Sequence, residues 1–444
     1  MSDELDAHYM LMNDIDALET KDWNEGKGFD PIGDYDREID SIGFMGGLNG
    51  NGHTINELFI NRVTENNVGL FGCIYEDGNV RDVFLNNANI KGAVSVGLFA
   101  GTIRTKFADI WIENCHSEGT VEGAARIGGF CGETYAFLGE IVINNCSSIA
   151  NVSGNNAVGG FSGKNDGNGD SVNIRFCSSN CVVFGVDPGQ KSIGGFSGYD
   201  QAAFGEVNIQ QCISTGSVKG DDRAGGFIGS CLRITYINCA SLCSVEGIGH
   251  IGGFVGKIVA INVPFPSLLM NCYSIGSVKG SFNVGGFCGI IEADEKDDIK
   301  YSYFDNETSG KEISDGGTGK TTAQMKTRST FETWDFDNIW DIDPEINNGY
   351  PFLRCLPTVS VDELISSQIK KLEIYPNPAR DQIQIVFEEE SAIISLVEIS
   401  DLSGRLILTS KTDRIDVSLL SSGIYWVSVE SDGEIYSTKL IVEK

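Results

Sequence analysis

The chain has 444 residues, 41% of them hydrophobic, with 55 glycines and 62 Asp+Glu against 32 Lys+Arg, a formal net charge of −30. A polyanion of this size repels nucleic-acid backbones and anionic lipid surfaces, so no nucleic-acid partner is expected. The hydrophobic share is too high for a disordered acidic tail, and no window approaches the roughly 18 consecutive apolar residues of a transmembrane segment.

Residues 1–66 read as opening coils. Met1-Ser2-Asp3-Glu4 lacks the basic and apolar stretches of a signal peptide, so an upstream part is expected to be missing. Across 67–305 a Gly-aromatic box recurs eight times, from Val68-Gly69-Leu70-Phe71-Gly72 through Ile127-Gly128-Gly129-Phe130-Cys131-Gly132 to Val284-Gly285-Gly286-Phe287-Cys288-Gly289, its phenylalanines 27 to 35 residues apart. Between boxes runs a second pattern, apolar-x-apolar, then a polar residue and Cys, as in Ile110-Trp111-Ile112-Glu113-Asn114-Cys115 and Ile141-Val142-Ile143-Asn144-Asn145-Cys146. Each unit carries two or three short alternating strands punctuated by Gly, with no helical period. A unit of about thirty residues cannot bury its own apolar face, so successive copies must stack around one core. A parallel β-solenoid (β-helix) of about nine coils follows, each coil one strand spacing of about 4.8 Å from the next.

In that stack equivalent residues form columns. Cys115, Cys146, Cys177, Cys212, Cys239 and Cys272 share one slot, which makes them an interior ladder of small side chains. Phe130, Phe161, Phe196, Phe227, Phe254 and Phe287 form a second ladder, their glycines allowing close backbone approach. Cys177…Cys181 and Cys239…Cys243 share a four-residue spacing, but no histidine pair or CxxC completes a zinc site. The slot before Cys holds Asn114, Asn145, Asn238 and Asn271, expected as corner residues whose side-chain amides cap backbone groups. The candidates for exposed, sugar-stacking aromatics are Trp111, Tyr135, Tyr199, Tyr236 and Tyr273.

The boxes resemble the GLUG repeat, found in large extracellular bacterial proteins. The lead-in around Leu48-Asn49-Gly50-Asn51-Gly52-His53 and the segment from Tyr303 to Leu353 resemble the coils that open and close such repeats, so the likeness spans residues 9–355. It implies adhesin-like surface proteins or accessory regions of secreted peptidases.

Residues 306–357 read as a closing segment. Gly316-Gly317-Thr318-Gly319-Lys320-Thr321 is similar to a phosphate-binding loop, but Ser314 stands where its first Gly belongs. Thr321-Thr322-Ala323-Gln324 instead makes a capping box for a short helix, Thr322 to Lys326, expected to cover the solenoid's open end.

A polar linker, 358–371, precedes a change of grammar. Residues 372–444 hold about seven short alternating runs, which indicates a small Ig-like antiparallel β-sandwich. Tyr375-Pro376-Asn377-Pro378-Ala379, Asp401-Leu402-Ser403-Gly404-Arg405, Gly423-Ile424-Tyr425 and Lys439-Leu440-Ile441-Val442 resemble the type A C-terminal sorting domain of the type IX secretion system of Bacteroidetes. The resemblance marks Pro376, Asn377, Pro378, Gly404, Gly423, Tyr425 and Lys439 as sorting-signal positions. It implies type IX machinery as a partner, an extracellular or outer-membrane-surface location, cleavage after the linker, and tethering to surface lipopolysaccharide or release.

No catalytic constellation emerges. His8, His53, His116 and His250 are never four apart, and no Gly-x-Ser-x-Gly elbow occurs. The acidic clusters Asp34 to Glu38, Asp294 to Asp298 and Asp335 to Asp343 could bind calcium but match no calcium motif and read as solvated loop charge. Polysaccharide chemistry would need two or three clustered carboxylates, whereas Glu113, Glu118 and Glu122 have no counterparts in the next coil. No cofactor or metal is expected. The function that fits is a secreted, non-catalytic binding or adhesin-like solenoid for a glycan or extracellular protein. The alternatives are a polysaccharide hydrolase or lyase of the β-helix class and a spacer stalk.

Overall fold

The computed structural model describes residues 1, 4–35, 43–186, 189, 191–259, 267–292, 299–356, 372–377, 379–387, 394–400, 406–421, 423–431 and 434–442. The linker 358–371, the cluster Asp294 to Asp298, most of Asp34 to Glu38, and Pro378 and Gly404 lie outside the described residues. The chain divides into two compact units, Met1–Thr358 and Val359–Lys444.

The first unit is a parallel β-solenoid of about eight turns. Three sheets run its length. A ten-stranded sheet extends from His8–Met10 through Ile110–Glu113 and Ile141–Asn144 to Ile299–Lys300, and an eight-stranded sheet from Phe71–Tyr75 through Cys131–Ala136 to Cys288–Ile291. The third sheet takes two strands from most coils, such as His116–Glu122 and Ala125–Gly128. The shortest sheet has eight strands, so eight coils close fully, against the nine or so expected. The ten-stranded sheet adds partial coils at the ends.

Register is strict. Ile110-Trp111-Ile112-Glu113 pairs residue for residue with Ile141-Val142-Ile143-Asn144, which places every second side chain of each coil over its counterpart. The repeat that runs to 35 residues takes up its extra length between the strands Ser178–Gly185 and Lys191–Gly194 and leaves the register of both intact.

The six repeat phenylalanines are fully buried, and the column continues to Phe99, Phe71 and Phe44. From Phe99 to Phe287 the rings stack with centroids 4.6 to 4.9 Å apart and planes within 10°. Their separation is the coil spacing itself. Room for this comes from the glycine that precedes each ring from Phe130 to Phe287. A Cβ on Gly195 would stand 2.1 Å from the carbonyl oxygen of Gly226 in the next coil.

The six column cysteines are buried and unbridged. Each sulfur does hydrogen-bonding work: Cys146 Sγ accepts from the Cys115 amide at 3.4 Å and donates to the Asn144 carbonyl at 3.2 Å. Ser302 Oγ takes the same place one coil beyond Cys272, accepting from its amide at 3.1 Å. Burial pushes the thiols of Cys146, Cys212 and Cys272 well above the usual range, and those of Cys181 and Cys243 up to about 12.

Each coil turns on two left-handed corners. One column is Asp82, Asn114, Asn145, Phe176, Gln211, Asn238, Asn271 and Tyr301, with φ between +49° and +56°. The other is Asn67, Ser95, Arg126, Ala157, Ser192, Arg223, His250 and Asn283, with φ between +49° and +64°. Asparagine tolerates this conformation, whereas the bulky Phe176 holds it because the coils on either side impose it, and Tyr301, last of its column, has the preceding coil on one side and Trp334 Nε1 donating to its carbonyl at 2.9 Å. The asparagine amides do not cap backbone groups as expected. The corner amides already donate to the next coil, Asn114 N to the Asn144 carbonyl at 3.1 Å, so in the early coils the side chains bond to one another, while Asn238 and Asn271 accept from Trp340 Nε1 and Thr333 Oγ1 of the closing segment. Asn145 Nδ2 donates to Asn114 Oδ1 at 2.8 Å, and Asn114 Nδ2 to Asp82 Oδ1 at 3.0 Å.

The closing segment divides its work differently from the expectation. The glycine-rich stretch, not the helix, covers the end of the core. Gly317 lies against the Phe287 ring, and Ser314 Oγ accepts the amides of Phe287 and Cys288 at 3.1 and 2.8 Å. The helix Thr322–Met325 does carry the expected capping box, with Thr321 and Gln324 exchanging bonds. It begins a segment that packs against the flank. Met325, Phe331, Trp334, Phe336, Trp340 and Tyr350 bury themselves with Ala240 and Tyr273 of the third sheet. The outward slots there hold Ile213, Ala240, Tyr273 and Tyr303 where earlier coils have His116 and Ser147, so only the late coils offer an apolar flank. Thr321→Ala should cost about 1 kcal/mol locally. Hydrogen exchange of amides 322–326 would show this as faster exchange, and unchanged protection would count against the cap.

The second unit is all-β. A three-stranded antiparallel sheet (Leu372–Tyr375, Gln382–Phe387, Arg414–Asp416) faces a four-stranded one (Leu406–Ser410, Ile394–Ser400, Gly423–Ser431, Glu434–Val442). Between them lies a core of Ile383, Ile385, Val397, Ile399, Ile415, Val427, Val429 and Leu440.

Candidate functional site

With the repeat's cysteines and phenylalanines spent inside, the site must be sought on the outer sheet faces. On the ten-stranded sheet the first four strands are His8–Met10, Gly47–Asn49, Asn79–Arg81 and Ile110–Glu113. Alternation turns Tyr9, Leu48, Val80 and Ile112 toward the core. It leaves two outward columns, His8, Gly47, Asn79, Trp111 and Met10, Asn49, Arg81, Glu113.

These columns enclose a groove of about 450 Å³. Its floor is low because Gly47 has no side chain. The His8 ring lies over that glycine, with Nδ1 only 2.2 Å from where a Cβ would stand. Trp111 rises at the opposite wall, a residue 43% exposed. Asn79 fixes the floor, with Oδ1 accepting the Trp111 amide at 3.2 Å and Nδ2 donating to the Asp77 carbonyl at 2.8 Å. Among the described residues Glu113 has no ion-pair partner, and Arg81 has only Asp82 at 4.0 Å.

The outer face of the eight-stranded sheet is charged. Lys164 Nζ stands 3.6 Å from Glu133 Oε1 and 2.7 Å from Asp166 Oδ2, while Arg126 reaches Glu133 at 2.6 Å and Gln201 donates to Asp166 at 2.7 Å. The two carboxylates thus share one ammonium. Arg104 lies over the rings of Tyr35 and Tyr135 at 4.6 and 3.9 Å.

Inside the same sheet a polar rung interrupts the apolar core. Asp200 is fully buried, and its carboxylate accepts from Ser197 Oγ at 2.5 Å, Asn165 Nδ2 at 2.8 Å and Tyr236 OH at 2.5 Å. Burial pushes the Asp200 carboxyl up to about 6 against those three donors.

The five aromatic candidates separate clearly. Trp111 is exposed, Tyr135 is half-buried under Arg104, and Tyr199 is half-buried with its hydroxyl pushed up by burial. Tyr236 and Tyr273 are fully buried, contrary to expectation. Tyr236 occupies an inward slot of its strand, facing Asp200. Tyr273 points outward but lies beneath the closing segment, where its hydroxyl donates to the Pro351 carbonyl at 2.5 Å.

On the third sheet His116 Nδ1 and Ser147 Oγ are 2.8 Å apart, with Glu118 3.9 Å from His116 Nε2. The strand amides beside them are taken up by the ladders to both neighbouring coils, which leaves no backbone pair to receive an oxyanion. Asp335 accepts from the Asn338 side-chain amide at 2.9 Å and from the backbone amides of Asn338 and Asp337, which holds its carboxyl below the usual range, and Asp341 pairs with Arg354 at 2.6 Å. Among the described residues no group of three or more His, Cys, Asp or Glu is placed to hold a metal ion.

In the second unit Pro376 and Asn377 are exposed after the first strand, and Gly423 opens the strand Gly423–Ser431. Tyr425 OH donates to the Ser421 carbonyl at 2.9 Å, and Lys439 pairs in register with Trp426.

Sequence reasoning singled out Trp111 and missed its surroundings: His8, Met10, Gly47, Asn49, Asn79 and Arg81. Stacking the apolar-x-apolar runs in register would have revealed them, because only the first coils set Gly and Asn beside Trp in the outward slot.

Residues 373–443 match the family described as Secretion system C-terminal sorting domain. The chain therefore carries a type IX sorting tail and is a secreted or cell-surface protein. Among the described residues no helix is long and apolar enough to cross a membrane. Over 96 residues, 21% of the chain, it is 45% identical to halomucin of Haloquadratum walsbyi, and over 91 residues, 19% of the chain, 37% identical to ulvan lyase NLR42 of Nonlabens ulvanivorans. The chain spans 1% and 16% of the lengths of these relatives. The crystal structure of an immunoglobulin A1 protease-like protein from Bacteroides ovatus is similar at 18% identity and a TM-score of 0.39, over 79% of this chain and 86% of that one.

Proposed function

We propose that the chain is a secreted, adhesin-like binding module built on GLUG-type repeats, displayed at the cell surface and acting without catalysis. The observation that carries this is the groove at Trp111. It sets an exposed indole among Asn49, Arg81 and Glu113, the arrangement of a recognition surface in which an apolar face binds and a few polar groups orient. The paired carboxylates Glu133 and Asp166 are engaged by Lys164, which suits structural ion pairing better than proton delivery to a glycosidic oxygen. The sorting positions of the second unit serve engagement by the type IX machinery, with cleavage after the linker 358–371 and release or tethering to lipopolysaccharide.

A glycan and extracellular-matrix array probed with the full chain tests this. Retention of at least one ligand without change to it is expected. A second reading, a polysaccharide-active enzyme, draws on the identity with ulvan lyase NLR42. Hydrolytic or eliminative products from any arrayed glycan would replace the first reading with the second.

A further inference from the structure

We propose that the groove between His8 and Trp111 takes a pyranose ring of a neutral polysaccharide, stacked on the Trp111 indole. This rests on the binding role proposed above and names its ligand class.

The geometry selects a ring. The walls, His8 and Trp111, stand three coil steps apart, about 14 Å between backbones before the side chains fill in. That leaves a slot over Gly47 and Asn79 suited to one flat object lying against the indole face. The polar groups select hydroxyls. Arg81 and the amide nitrogen of Asn49 are donors, Glu113 is an acceptor, and all three line the groove with Trp111, so a ligand with an apolar face and a rim of groups that both donate and accept satisfies every one.

Two competing chemistries fit less well. A peptide adding itself as a strand needs a free sheet edge: Gly47–Asn49 and Asn79–Arg81 are paired on both sides, and the edge of His8–Met10 lies three strands from Trp111, so a strand added there would leave the indole uncovered. A polyanionic glycan meets a chain of net charge −30, with Asp6, Asp14 and Asp16 in the same opening coil as His8. A neutral saccharide avoids that repulsion.

The test titrates the full chain with soluble neutral hexasaccharides of β-glucan, xylan and mannan type and with an alginate oligomer. Heat and tryptophan fluorescence are the readouts. At least one neutral hexasaccharide should bind and perturb the fluorescence, and alginate should not. Trp111→Ala should weaken that binding about tenfold or more, Trp111→Phe should keep most of it, and Phe204→Ala, which alters an exposed aromatic outside the groove, should change nothing. Far-UV circular dichroism of each variant confirms its folding. Neutral binding that Trp111→Ala leaves intact, or binding of alginate alone, overturns this inference while the binding role stands. A protein ligand on the array with no saccharide bound does the same. Silence of both the array and the titration removes the binding role itself.

Discussion

Phe196→Ala is expected to destabilise the solenoid by about 4 kcal/mol. Phe196 is fully buried, with Phe161 and Phe227 stacked on its two faces at 4.9 and 4.7 Å. Truncation removes the transfer free energy of the ring and leaves a cavity that the neighbours cannot close, because each is held at the coil spacing by its own backbone ladder. A solenoid's stability is approximately a sum of coil and nearest-neighbour terms, so a weakened middle coil should also split a single urea transition into two. Phe204→Ala serves as the control, since that ring is 87% exposed and its loss should be almost neutral. A loss below about 1 kcal/mol for Phe196→Ala would mean that the ring column is dispensable and the backbone ladders alone hold the coils.

The second large effect is a pH dependence centred on Asp200. Its carboxyl stands near 6 in the folded chain and near 3.8 when exposed. The folded state therefore holds this proton more tightly than the unfolded state. The resulting stabilisation is fully present below about pH 4 and is lost as the pH rises through 6, a change of about 3 kcal/mol. Asp200→Asn keeps an oxygen for Ser197 and Asn165 and carries no charge, so it should flatten the stability profile between pH 4 and 7 and exceed the parent at pH 7. Urea midpoints measured at half-unit pH steps would decide it, and parallel profiles for the two proteins would sink the assignment. The rung has a second consequence. A slip of one coil would separate Asp200 from Asn165 and Tyr236 and leave it only Ser197 of its own strand, so the polar break in a repetitive core helps hold the register.

The recurrence of the Gly-Phe box, the shared cysteine slot and the change of pattern after 371 were legible in the chain because stacking turns a linear period into a spatial column. Any residue whose role depends only on its phase within the repeat could be placed this way, and the capping box at Thr321 by its local spacing alone. Residues whose role depends on a neighbour from another coil could not. Tyr236 reads as one more irregular aromatic until the register sets it over Leu269 and beneath Ile209 and aims its hydroxyl at Asp200. The second left-handed corner column escaped notice because its members, from Asn67 to Asn283, share a backbone angle and no side-chain chemistry.

By itself, then, the sequence determined the all-β class, the stacking period, the filling of the core and the secretion tail, since each is written in local composition and spacing. Only the tertiary structure decided which aromatics face solvent, that a glycine-rich stretch and not a helix closes the core, and that Trp111 overlooks a groove. Those outcomes depend on which side chains of different coils come to lie side by side, and that adjacency exists only once the coils are stacked.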